Sequence, residues 1–232
     1  MGERPRYLVI AIDGPAGSGK STVSKRIARK LGIMYIDTGA MYRALTLKAM
    51  RSDTGLEDEG SLIKLAHPAR IDLEDSSSGQ KVFLDGEDVT GLIRTPELTN
   101  NVKYIARVPG VRHEMVRLQR MIGRKRGAVM EGRDIGTVVF PGADYKFYLD
   151  ADVDERANRR CEELTQAGVS VNLEDIRKDV VMRDESDMKR EVGALKVAPD
   201  AILVDTTDLS IDEVVDRLLS FVQHEKDHRA ER

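Results

Sequence analysis

Near the start of the chain, Gly14-Pro15-Ala16-Gly17-Ser18-Gly19-Lys20-Ser21 has the residue types and spacing of a loop that wraps phosphate groups. Its glycines let backbone N–H groups turn inward around anionic oxygens, and a helix that follows adds the partial positive charge of its N-terminus. Lys20 reaches the outer phosphates as a mobile cation, Ser21 is placed to ligate Mg²⁺, and Thr22 extends the same stretch. Two further segments carry charge. Asp37-Thr38-Gly39-Ala40-Met41-Tyr42-Arg43 joins a carboxylate, a hydroxyl and a guanidinium, and Glu131-Gly132-Arg133-Asp134-Ile135-Gly136-Thr137 does much the same. Together these groups suit the binding and movement of a phosphoryl group.

Apolar periodicity indicates the elements that must hold them. Residues 7–12 form an apolar run rich in β-branched side chains. After the glycine loop, Val23, Ile27, Ala28 and Leu31 share one helical face. This strand–loop–helix context favours a phosphate loop over a glycine-rich turn that only caps a helix. Further strands are expected at 33–36, 128–130, 145–149 and 201–204, with helices at 41–50, 153–167, 173–190 and 210–223. Buried strands alternating with helices imply an α/β fold, with a mainly five-stranded parallel sheet covered on both faces. The charged segments would then leave one edge of that sheet and converge on one crevice.

Residues 63–108 break the rhythm. Short strands at 70–73 and 81–84, joined through Asp75-Ser76-Ser77-Ser78-Gly79, read as a hairpin, and Asp85-Gly86 marks a turn before Val89. Helices are expected at 96–107 and 110–126. The division is therefore a core of 1–62 and 109–232, with a helical lid around 153–190, and a β-rich insertion at 63–108. The charged tail 223–232 reads as a fraying helix end.

The chain's 232 residues, 41% hydrophobic, suffice for one such core with appendages. Its 37 basic and 40 acidic residues nearly cancel, so no overall field would hold a nucleic-acid polymer. Cys161, the single cysteine, has no internal disulfide partner, and His67, His113, His224 and His228 lack ligand spacing. Residues 1–6 do not resemble a leader or a myristoylation site, and no segment is apolar for long enough to span a bilayer. A cytoplasmic monomer is expected.

Several segments resemble the bacterial cytidylate kinase family. They are Asp37–Arg43, Gly132-Arg133-Asp134-Ile135-Gly136-Thr137, Phe83–Thr90 with Ile93-Arg94-Thr95, Pro109-Gly110-Val111-Arg112, and the run from Arg183 to Arg190. The resemblance covers nearly the whole chain. It implies a P-loop kinase fold, ATP with Mg²⁺ as donor, and CMP, with dCMP, as acceptor. By that resemblance Arg43, Arg133 and Arg190 hold the acceptor phosphate, and Arg112 with Asp134 reads the cytosine. Arg183 and Asp187 contact the ribose, Thr38 and Tyr42 line the pocket, and Arg159 and Arg160 are lid arginines that close over ATP. Where that family often has a serine near the base, this chain has Lys103. Lys20, Arg133, Arg159, Arg160 and Arg190 are thereby assigned electrostatic roles in transfer, with Asp37 or Glu131 orienting the metal's waters. Arg156, Arg177 and Lys178 are expected on a solvated helix face. The rivals are a kinase for UMP, AMP or shikimate, and a nucleotide-dependent switch. No guanine-reading Asn-Lys-x-Asp segment is present.

Overall fold

The computed structural model describes residues 7–52, 54–76, 79–166 and 168–230, the last eight by backbone alone. The chain begins β1 (Val9–Asp13), α1 (Lys20–Leu31), β2 (Met34–Asp37), α2 (Thr38–Arg51) and α3 (Glu59–Ala66). It continues β3 (Ile71–Ser76), β4 (Gly79–Leu84), β5 (Glu87–Asp88), α4 (Pro96–Ala106) and α5 (Pro109–Gly123). The last part is β6 (Ala128–Gly132), β7 (Tyr145–Asp150), α6 (Val153–Gln166), α7 (Leu173–Met188), β8 (Ile202–Asp205) and α8 (Ile211–Ala230).

Ile10, Ala11 and Ile12 have no solvent exposure, a burial that requires cover on both faces of the strand. Accordingly β1 lies at the centre of a five-stranded sheet of order β2-β6-β1-β7-β8, in which every pair is parallel. Side chains alternate between the faces. Ile10, Ile12, Val129 and Phe147 pack with α1 and α8, while Ala11, Ile36 and Met130 face α2, α5 and the insertion. The register sets Asp13 beside Gly132 and Tyr148, and Asp37 beside Glu131. All five strands end at one edge.

The antiparallel sheet β3-β4-β5 shares its core with the main sheet, since Leu73, Val82, Leu84 and Val89 belong to the same apolar cluster as Ile36 and Met41. α3, which the sequence reading left without an element, runs across residue 62 and buries Leu62 and Ala66 in that cluster. α2 starts at Thr38, three residues before the expected 41, because the Asp37 carboxylate accepts from the backbone N–H of Ala40 at 2.9 Å and caps the helix. β6 extends through Glu131 and Gly132, and a π-helical turn at Ile135–Val139 follows it. The helix pair α6–α7 has its own small core of Ala157, Ile176 and Val180. Among the described residues no helix is long and apolar enough to cross a membrane. The expectations for residues 1–6, for Ser77 and Ser78, and for the charged side chains beyond Val222 fall outside the described residues.

β2 is an edge strand, and its outer backbone needs partners. Gln80 of β4 supplies them: its amide donates to the Tyr35 carbonyl, and its Oε1 accepts from the Asp37 N–H at 3.3 Å. Gln80→Leu keeps the volume and removes both bonds. It is expected to lower the unfolding free energy by about 1–3 kcal/mol in urea titration; an unchanged midpoint would show that the edge needs no such cover.

Candidate active site

The phosphate loop occupies the turn between β1 and α1. Its backbone is left-handed at Gly17 (φ 80°) and at Gly19 (φ 81°), the N-cap of α1. A Cβ at Gly17 would also come within 2.9 Å of Cβ of Arg156, so the loop lies directly on α6. Lys20 folds back over this loop, donating to the Pro15 carbonyl and, at 3.2 Å, to Ser18 Oγ. Ser18 Oγ in turn donates to Pro15 O at 3.1 Å. Burial lowers the Lys20 ammonium to about 7. Arg133 and Arg183 push it the same way, against Glu131 and Asp13. Thr22 is exposed one residue beyond Ser21.

Two strand ends supply the carboxylates. Glu131, at the end of β6, accepts from Ser21 Oγ at 2.8 Å and from the Tyr35 hydroxyl, while its carbonyl accepts from Thr38 Oγ1 at 2.7 Å. Burial, then the charge of Asp37, raises the Glu131 carboxyl above its ordinary range. Two mutually repelling carboxylates beside a hydroxyl make an all-oxygen donor set that suits a hard divalent cation such as Mg²⁺. No group of three or more Asp, Glu, His or Cys among the described residues gathers to hold a metal unaided. Asp13, the last residue of β1, accepts from the N–H groups of Ile135 at 2.8 Å and Gly136 at 2.7 Å, and so fixes the segment carrying Arg133 and Asp134.

The guanidinium groups gather on the other side of the crevice. Arg43 pairs with Asp37 at 3.0 Å. Asp187 of α7 holds Arg133 at 2.7 Å and also holds Arg190. Burial works to raise the Asp187 carboxyl, but the charges of Arg133, Arg190 and Arg183 outweigh it and keep it low. Arg183 reaches solvent, yet desolvation and the like charges of Arg133, Arg43 and Arg160 push it down to about 10, against the opposing charge of Asp187. A guanidinium does not give up its proton there, so the direction records positive potential without enough anion to balance it.

Deeper in, Arg112 is 2% exposed and pairs with Asp134, its guanidinium lying 5.5 Å from the Tyr42 ring centre. Three buried polar atoms here have no hydrogen-bond partner among the described residues: Tyr42 Oη, Arg43 Nε and Arg112 Nε. Gly193 (φ 67°), in the segment after α7, covers this pair so closely that a Cβ would overlap both the guanidinium and the carboxylate.

Two expected lid arginines are engaged elsewhere. Arg159 bonds Glu155 at 2.7 Å and the Thr206 carbonyl at 2.6 Å, and Arg160 bonds Glu163 at 2.7 Å. Lys103 is exposed, with its ammonium 5.2 Å from the Tyr104 ring centre. Arg177 and Lys178 lie on the solvated face as expected. Arg156 does not. It is 4% exposed, where the arginine-rich composition of these helices suggests a solvated face. Its place three residues after Val153, on the apolar stripe, was the available signal. Tyr35 and Asp13 were also missed: each looks like a plain strand residue, and only Asp13's position directly before Gly14 marks it.

A parallel sheet with a phosphate loop after its central strand, and acid–arginine clusters at the same edge, defines a P-loop kinase. The cytidylate kinase family model matches residues 10–224, and the chain belongs to that family. It is 52% identical over 218 residues to a cytidylate kinase of Anoxybacillus flavithermus, covering 94% of this chain and 97% of that one. A cytidylate kinase of Geobacillus sp. strain WCH70 is 53% identical over 213 residues, covering 92% and 95%. The crystal structure of an uncharacterized protein from Eubacterium ventriosum superposes with a TM-score of 0.50 at 12% identity, covering 93% and 98%, a likeness of fold alone.

Lys20 near 7 has a measurable consequence. At pH 8 the free ammonium is largely deprotonated, and contact with phosphate restores its proton. Triphosphate binding should therefore take up most of one proton at pH 8, and affinity should fall as pH rises above about 7. Calorimetry in HEPES and in Tris, with and without Lys20→Met, measures this. Equal observed enthalpies in the two buffers, before any correction for buffer ionisation, would refute it.

Proposed function

We propose that the protein transfers the γ-phosphoryl group of ATP to CMP, and also to dCMP, acting as a cytoplasmic monomer with Mg²⁺. The observation that carries this reading is the gathering of Arg43, Arg133, Arg183 and Arg190 beside the phosphate loop, where Arg183 is pushed down by burial and by the like charges around it, next to buried polar atoms that lack partners among the described residues. A phosphate monoester attached to a polar base matches both features.

Phosphoryl transfer needs alignment of the attacking oxygen and positive charge around the equatorial oxygens, and a phosphate acceptor needs little help from a base. In this reading the loop N–H groups and Lys20 hold the donor phosphates, and Arg43, Arg133 and Arg190 receive the acceptor phosphate as Asp37 and Asp187 yield their place. Ser21 would present an oxygen lone pair to the cation while its hydroxyl donates a hydrogen bond to Glu131, and Tyr35 donates to the same carboxylate and keeps it fixed. When bound, Mg²⁺ would supply positive charge against the phosphate oxygens. Arg159 and Arg160 sit on α6, the first helix of the proposed lid, whose closure would keep water from accepting the phosphoryl group.

Cytosine presents an amino donor at N4 beside acceptors at N3 and O2, which a carboxylate and a guanidinium in one plane complement. Asp134 and Arg112 offer that pair. Uracil would set a carbonyl against the carboxylate. A coupled ADP-release assay over CMP, dCMP, UMP, AMP and no acceptor tests the assignment, and ADP release independent of acceptor would overturn it. Asp134→Asn, which keeps the shape beside buried Arg112, should reduce the ratio of kcat/KM for CMP over UMP by about 5- to 150-fold, or about 1–3 kcal/mol. Lys103→Ser should leave the ratio nearly unchanged. Unaltered selectivity in the Asp134 variant would put a different residue against the base.

A further inference from the structure

Arg156 is the one arginine of α6 that reaches both sides of the crevice. Its Nη1 donates to the carbonyl of Ala16, inside the phosphate loop, at 3.0 Å, and to Asp184 Oδ2 at 2.5 Å. Its Nε is held by the Ala151 carbonyl at 2.9 Å. Arg156 is 4% exposed and Asp184 7%. A buried ion pair is a poor stabiliser, because desolvation offsets most of its attraction and an apolar pair of similar volume holds helices together as well. Its position gives it a different use.

Asp184 lies on α7 between Arg183 and, one turn on, Asp187, the carboxylate that holds both Arg133 and Arg190. A shift of Asp184 therefore moves the groups that grip the acceptor phosphate. The second oxygen of Asp184, Oδ1, is buried without a hydrogen-bond partner among the described residues, and its charge acts on Arg133. On the other side, the close approach of Gly17 to Arg156 leaves no slack between loop and helix.

We propose that Arg156 and Asp184 are a positioning pair that sets the register between the phosphate loop and the acceptor-binding arginines, and so couples occupancy of the donor site to that of the acceptor site. The inference rests on the proposed CMP kinase reading. By linkage, the coupling appears as a factor by which one nucleotide tightens the other.

The test measures CMP affinity by calorimetry, with and without a saturating non-hydrolysable ATP analogue, in the wild type, Asp184→Asn, Arg156→Lys and the double variant. Lysine keeps the charge of Arg156 but cannot make all three contacts at once. Each nucleotide alone should bind every variant within about 3-fold of the wild type, while the tightening factor falls toward one and kcat drops by about 10- to 100-fold. The double variant should be no worse than the worse single variant, because both changes break the same link. Should Asp184→Asn fail to fold, Asp184→Glu, which keeps the charge and displaces it, is read on the same scale. A wild type without tightening, an unchanged factor in the folded variants, or losses that multiply in the double variant would each overturn the inference. A wild type inactive on CMP would instead overturn the functional reading beneath it.

Discussion

Gathering Lys20, Arg43, Arg133, Arg183 and Arg190 at one sheet edge sets cations against one another, and the surrounding structure is arranged to bear that repulsion. A surface cluster would disperse into solvent. Here the parallel sheet forces convergence, because every strand ends at the same edge and each charged loop begins there. The carboxylates follow from this constraint. Asp37 faces Arg43, Asp187 faces Arg133 and Arg190, and Asp134 faces Arg112. Among the described residues Lys20 has no such carboxylate bonded to it, and burial, with the charges of Arg133 and Arg183, lowers its affinity for its proton.

The arrangement divides into groups that move charge and groups that hold those in place. Tyr35 holds Glu131, Asp13 holds the turn after β6, and Gln80 reaches in from the insertion to tie down the strand bearing Asp37. None of these three faces a phosphate directly in the proposed mechanism. Each fixes the backbone or carboxylate from which a charged residue acts, and precise positioning is what phosphoryl transfer demands of a protein.

What the sequence made legible was local. The phosphate loop is contiguous, so its glycines, Lys20 and Ser21 could be assigned from spacing, and the five strands announced themselves by apolar runs. The capping role of Asp37 also lay within reach, since it stands three residues before Ala40, but the glycine at 39 suggested a turn instead. Non-local partners were not legible. Nothing near Arg156 in the chain points to Ala16, and the pairing of Asp187 with Arg133 joins residues far apart in sequence. α3 escaped because Leu62 and Ala66 form too short an apolar stripe to distinguish a helix from a loop. The roles of Arg112 and Asp134 came from family resemblance alone, as neither spacing nor periodicity distinguishes them from other charged residues.

The apolar cluster shared by β3, β4 and the main sheet bears on modularity. An insertion with its own core could be exchanged between related enzymes as a cassette, with two chain crossings to splice. This one has no separable interior: Leu73, Val82 and Leu84 are packed by α2 and by the sheet face beneath it. Transplanting the segment would carry half a core into a host shaped for a different half. The segment is thus bound to the whole face from α2 to α5, and it can drift by point substitution far more readily than it can be swapped as a block.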